Sequence, residues 1–267
     1  MEQYKHNFEY CYFTGRKDNY LPIHRIDHRK FFFCVLVYVR CGEYHTTVEG
    51  HTYTARAGEA LFIPPGIIHD VFMTAPGRLD WMHFSCTVGG MEVFGGMPLP
   101  VVLAGDTAAW GGKASAILAE QSQQPFSVHN SLVQDATLAA FAAHLVERFA
   151  ISFRPPSELI SQTLSLIQRN LRADLRLQDL AASLNISPST LERRFQNEMG
   201  MSLFDYIRKQ RIELACTGML RTGSVGSAAA EAGYCDIYYF SRAFKKYMGI
   251  TPRQYLECTR NRGHKSE

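Results

Sequence analysis

Two stretches of this chain, 49 residues apart, repeat one pattern, and that repeat limits the possible folds more than any other feature. Residues 191–200 read LERRFQNEMG and residues 240–249 read FSRAFKKYMG, so Arg193 falls on Arg242, Phe195 on Phe244, Met199 on Met248 and Gly200 on Gly249. Tyr206 and Tyr255 keep the register downstream; Ala181 with Ala230, and Ser187 with Asp236, keep it upstream. Two copies of one supersecondary unit are the economical reading.

Each copy has the pattern of a helix-turn-helix. In the first, residues 177–184 predict a short helix with Leu177, Leu180, Ala181 and Leu184 on one face, and Asn185-Ile186 turns the chain. Ser187 suits an N-cap and Pro188 a first helical position, where its missing N–H costs nothing. Leu191 and Phe195, four apart, bury the inner face, and Gly200 ends the helix. In the second copy, residues 225–232 form the first helix and Asp236 caps the next, with Phe240 and Phe244 turned inward. Residues 203–220 between the copies predict a helix of about 27 Å at 1.5 Å per residue. That length could set the two second helices about one DNA turn, roughly 34 Å, apart.

The faces left outward are Ser189, Thr190, Glu192, Arg193 and Gln196 in the first copy, and Ile237, Tyr238, Tyr239, Ser241, Arg242 and Lys245 in the second. Early residues of such a helix meet base edges in the major groove, where arginine grips guanine, glutamate accepts from cytosine and apolar groups touch thymine methyls. Arg194, Gln196, Lys245 and Lys246 are placed for phosphate. Charge agrees: from residue 157 onward there are 16 basic and 11 acidic side chains, against 12 and 14 before it. Solvated charge on ordinary helical hairpins is the competing reading, and two copies at fixed offset argue against it.

Residues 164–259 resemble the paired helix-turn-helix domain of the AraC/XylS family of bacterial transcription regulators. The resemblance rests on ISPSTLERRFQNEMGMSLFDYIR (186–208) and AAEAGYCDIYYFSRAFKKYMGITPRQY (229–255). It implies sequence-specific binding to double-stranded DNA and activation through contact with RNA polymerase. Ile237 and Tyr238 stand where many members carry polar residues, so base preference there cannot be transferred.

The first half reads differently. Residues 31–39 are β-branched and aromatic, and short strands at 44–49, 52–55, 60–63 and 79–88 follow between turns, as in an antiparallel sandwich or barrel. Residues 95–106 read as loop. From Ala108 to Ala150 the spacing is helical, with Leu132, Leu138, Phe141, Leu145 and Phe149 on one stripe. Residues 58–73 follow the second cupin motif, with His69 in register but Met73 in place of its asparagine. The stretch matching the first motif holds His45 without an H-x-H, so a metal enzyme lacks the convergent ligands it needs and no cofactor or metal is expected.

The family resemblance implies that this barrel senses a small molecule. Arg25 before the first strand, His69 in the P-P-G-x-x-H turn, and Trp81 and His83 on one strand face are the candidate effector contacts, with Ser85 on that same face. An indole, imidazoles and a guanidinium suit a small polar, carbohydrate-like effector. His24, His28, His45 and His51 read as surface residues.

The expected fold is α+β in two domains. Residues 1–106 form a cupin-like barrel, residues 107–153 helices that pack on it and make a homodimer, residues 154–163 a linker, and residues 164–267 an all-α double helix-turn-helix. Seven cysteines without a C-x-x-C pair, a start (MEQYKH) unlike a secretory signal, and no apolar run near the roughly 20 residues a membrane span needs place the chain in the cytoplasm with no membrane partner. Two other readings stay open: a cupin-type metal enzyme fused to a DNA-binding module, and a DNA-binding regulator that answers to no effector.

Overall fold

In the computed structural model, residues 8–97, 100–124, 127–151 and 156–260 are described, and they fall into two compact units. One is built mainly from residues 10–86 and 92–152, the other mainly from residues 153–258.

The first unit holds two sheets. Strands β1 (Phe8–Leu21), β3 (Cys34–Cys41), β6 (Ala60–Ile63), β8 (Gly77–Val88), β9 (Met91–Glu92) and β10 (Val101–Leu103) form one, in the order β1-β8-β3-β6-β10 with β9 beside β8. Strands β2 (His24–Lys30), β4 (Glu43–Val48), β5 (His51–Arg56) and β7 (Ile68–Met73) form the other, in the order β2-β7-β4-β5. Two elements precede the strand expected first, and that strand starts at Cys34 rather than Phe31. The stretch expected to be loop contains β10, which pairs with β6, and the start of the next helix.

Two helices follow where one helical stretch was read: α1 (Gly105–Gln121) and α2 (Val128–Arg148), the second capped by Ser127, which accepts from Asn130 N at 3.1 Å. They cover one face of the first sheet. Leu36, Phe62, Met82 and Phe84 from the strands meet Leu118, Leu138, Phe141 and Leu145 from the helices in one apolar core. Gly112 permits the close approach of α1, because a Cβ there would lie 2.9 Å from the Tyr38 ring. Leu132, expected on the buried stripe, is 62% exposed: the helix turns it away from the sheet. Asp80, fully buried, is gripped by Arg40 through two hydrogen bonds of 2.6 and 2.7 Å and accepts from Asp18 N, tying β1, β8 and β3 together.

The second unit is helical: α3 (Glu158–Arg169), α4 (Leu177–Ser183), α5 (Pro188–Met199), α6 (Leu203–Thr222), α7 (Val225–Glu231), α8 (Ile237–Met248) and α9 (Pro252–Arg260). The expected linker is therefore helix from Glu158 on, and Ile160 and Ile167 of α3 join the core of the first repeat. Arg154 and Pro155 of that linker lie outside the described residues. Equivalent residues pack alike in both copies. The Phe195 and Tyr206 rings meet edge to face with centroids 5.5 Å apart at 68°, and Phe244 and Tyr255 do so at 5.6 Å and 67°. Both second helices end on a left-handed glycine, Gly200 and Gly249.

Candidate functional site

In the helical unit each repeat presents a capped second helix. Ser187 Oγ accepts from Thr190 N at 3.2 Å, and Asp236 Oδ1 accepts from Tyr238 N at 2.7 Å and Tyr239 N at 3.2 Å. With Leu191, Phe195, Phe240 and Phe244 buried, helical periodicity turns Arg193, Arg194 and Gln196 of α5, and Arg242, Lys245 and Lys246 of α8, out to solvent. Ser189 is exposed and Thr190 half-buried, and their hydroxyls lie 3.1 and 2.8 Å from that of Ser187, so both lean on the cap. Ile237, Tyr238 and Tyr239 are 44%, 78% and 46% exposed.

Two expected base contacts are engaged elsewhere. Glu192 is half-buried and its Oε1 accepts from Leu203 N at 3.4 Å, because the first turn of α6 leaves an N–H without an intrahelical acceptor. Ser241 is half-buried and donates to Ile237 O at 2.8 Å, inside its own helix. Tyr239 divides its role: it is 46% exposed, and its ring lies 6.1 Å from that of Tyr234.

In the sheet unit, Trp81 and His83 do share a face of β8, their rings 4.9 Å apart. His83 also lies 5.3 Å from Phe31 and 4.9 Å from Phe33. Phe31 in turn lies 6.0 Å from His69, so histidines from the two different sheets flank one phenylalanine. The guanidinium of Arg29 stacks over that same ring at 4.6 Å. Burial drives the His83 pKa well below its ordinary value, and the nearby charges of Arg29 and His69 push the same way. Burial lowers His69 too, against an opposing bond to Ile67 O, and Arg29 adds to the lowering. The neutral His69 ring donates Nδ1–H to Ile67 O at 3.0 Å, which leaves Nε2 as an acceptor.

Arg25 does not join this cluster. It lies inside β2 rather than before the strands and pairs in register with Phe72, over whose ring it stacks at 5.4 Å. Its guanidinium bonds to Asp27 and Asp70 on the exposed face of the second sheet. Arg29, which the sequence reading passed over, takes the inner position. The register slips by one residue between Ile26 and Arg29, with His28 at φ 54°. A bulge of this kind reverses the face of everything beyond it, and no residue type in HRIDHRK announces it.

Ser85 donates its hydroxyl to Glu92 and is not a free contact. His45, expected at the surface, is buried, bonded to Thr54 Oγ1 at 2.8 Å and stacked on Phe72. The cupin motif would imply a metal, and the residues do not fit one. Among the described residues no three His, Cys, Asp or Glu side chains converge. A guanidinium beside His69 and His83 adds positive charge where a divalent cation would need negative charge.

Comparison with known proteins agrees with both units. Residues 180–257 match the helix-turn-helix domain family and residues 34–85 the cupin domain family. The chain is 23% identical to the Msm operon regulatory protein of Streptococcus mutans, over 85% of each chain. It is 24% identical to the MmsAB operon regulatory protein of Pseudomonas aeruginosa, over 93% of this chain and 81% of that one. It is 26% identical to the raffinose operon regulatory protein RafR of Pediococcus pentosaceus, over 83% of each. Its fold is that of ToxT from Vibrio cholerae, at 12% identity with a TM-score of 0.59 over 94% of this chain and 97% of that one. A cupin domain and an AraC-type helix-turn-helix domain in one chain, with operon regulators similar to it along most of their length, give it the two-domain organisation of a DNA-binding transcription regulator of AraC type.

Proposed function

We propose that the sheet unit binds a small polar effector of carbohydrate type carrying an anionic group, and that this binding controls how α5 and α8 engage an operator. The observation that carries the reading is the convergence of Arg29, His69 and His83 on Phe31. A guanidinium binds a carboxylate, neutral imidazoles accept from or donate to hydroxyls, and Trp81 offers a face for sugar C–H groups. RafR is named for a raffinose operon, and one ToxT structure holds an unsaturated fatty acid. Differential affinity of the effector for two arrangements of the chain is all that regulation requires.

On the DNA side, Arg193 and Arg242 read bases, with Ser189, Thr190, Ile237, Tyr238 and Tyr239 beside them, while Arg194, Gln196, Lys245 and Lys246 hold phosphate. Activation then runs through RNA polymerase in the cytoplasm. Helix α2 suits a homodimer contact, since Val128, Leu132, Ala136, Ala140 and Ala143 form an exposed apolar stripe along it. The role is that of a sensor and not an enzyme, because Arg29 opposes a catalytic cation at the histidines. The test is a thermal-shift screen of the full chain against sugars, sugar acids and amines, followed by operator binding with each hit. A sugar acid that raises the melting temperature and alters operator affinity supports the reading; turnover of a hit with bound iron or zinc overturns it.

A further inference from the structure

The two helices that face the groove differ most at their tips. At the shared 49-residue offset, Ser189 and Thr190 of α5 stand where α8 carries Tyr238 and Tyr239, and Pro188 stands where α8 carries Ile237. A large apolar tip left open to water is the informative kind of exposure. Tyr238 is 78% exposed and Ile237 44% exposed, although the rest of the apolar face of α8 is buried. Ile237 Cδ1 lies beside Gly226 of α7, where an added Cβ would meet it at 3.9 Å, and close to half of its surface still stays open to water.

The tip is also held still. Asp236 fixes the backbone N–H groups of Tyr238 and Tyr239, and the Tyr239 ring lies 6.1 Å from that of Tyr234. Polar base readout by α8 falls to Arg242, more than a turn further along, because the Ser241 hydroxyl is bonded inside the helix. An apolar first turn set into a major groove meets one apolar feature there, the C5-methyl of thymine.

We infer that α8 specifies its half-site by thymine methyl groups, packed against Ile237 and the Tyr238 ring, so that the operator pairs an A·T-rich half-site under α8 with a half-site under α5 read by hydrogen bonds. This rests on the assignment of α5 and α8 as the groove-reading helices.

The test begins by selecting duplexes from a random pool with the full chain. The half-site at which Arg242→Ala relaxes base preference is the one under α8. Thymines in each half-site are then replaced by uracil, which removes only the methyl group. Burial of one methyl predicts a loss of about three- to fivefold in affinity for each thymine under α8, and little change under α5. Ile237→Ser and Tyr238→Ser, both at exposed positions, should bind more weakly and lose the uracil effect. Equal tolerance of uracil in both half-sites, with the operator still bound, overturns the inference and leaves the DNA-binding reading standing. Failure of the chain to select any sequence overturns both.

Discussion

Arg29 faces His69 across the β2–β7 ladder, and it does so because one extra residue sits between Ile26 and Arg29. Without the bulge, strand alternation over the four positions from Arg25 would place Arg29 on the same side as Arg25, among the exposed ion pairs with Asp27 and Asp70. The bulge sends two arginines of one short strand to opposite faces. One becomes part of the surface, and the other becomes a half-buried cation over Phe31 and next to two neutral histidines.

Arg29→Met should therefore abolish the thermal shift given by an acidic effector, while Arg25→Met leaves it within about twofold in affinity. Loss of a charge-assisted hydrogen bond corresponds to roughly 1.5–3 kcal/mol, or about 10- to 150-fold. Isothermal titration of the hit that most stabilises the parent chain checks this. Equal losses in both variants would mean that the anion binds on the outer face.

Stability of the sheet unit should fall with acid at unusually mild pH. His83 and His69 have folded pKa values below the ordinary 6.5, so below that pH the unfolded chain takes up protons that the folded chain refuses. Their contribution is complete above about pH 6.5 and declines as the pH falls from there toward the lowered folded values. Melting temperature measured from pH 7.5 to 5 should drop, and His83→Phe should flatten that drop.

Glu192→Ala should act on stability and not on base choice. Its carboxylate accepts from Leu203 N at the start of α6, and losing such a contact costs about 0.5–2 kcal/mol. Chemical denaturation reads the first quantity and selection from a random duplex pool reads the second. A changed base preference at one position would return Glu192 to the groove.

Arg193→Ala and Arg242→Ala should each cost roughly 1–3 kcal/mol in operator binding and relax preference at particular base pairs. Lys246→Ala should weaken all sequences alike and reduce the slope of log K against log salt by about one. Titrations at several salt concentrations separate the two classes.

The repeat was legible because it is local. Caps, stops and inner anchors lie within a dozen residues of one another, so Ser187, Asp236, Gly200 and the inward Phe195 and Phe244 could be placed from spacing alone, and the structure puts them there; that Phe195 meets Tyr206 and Phe244 meets Tyr255 edge to face came from the structure. The cupin motif likewise marked His69, and alternation marked Trp81 and His83 as neighbours. The first two strands went unread, since YCYFTGRKDNYL and HRIDHRK mix charge and apolar residues without steady alternation.

What the sequence determined by itself was the two-part architecture and the pair of outward arginines, because short-range periodicity and capping chemistry settle both. Which side chains meet inside the sheet unit was decided only in the tertiary structure. A one-residue slip in register exchanges the faces of a strand, and the energy that selects the slip comes from partners far away in the chain: Asp70 accepting from His28 N, and His69 across the ladder. Glu192 followed the same rule, drawn from the groove to Leu203 by an N–H that exists only once α6 has been laid beside it.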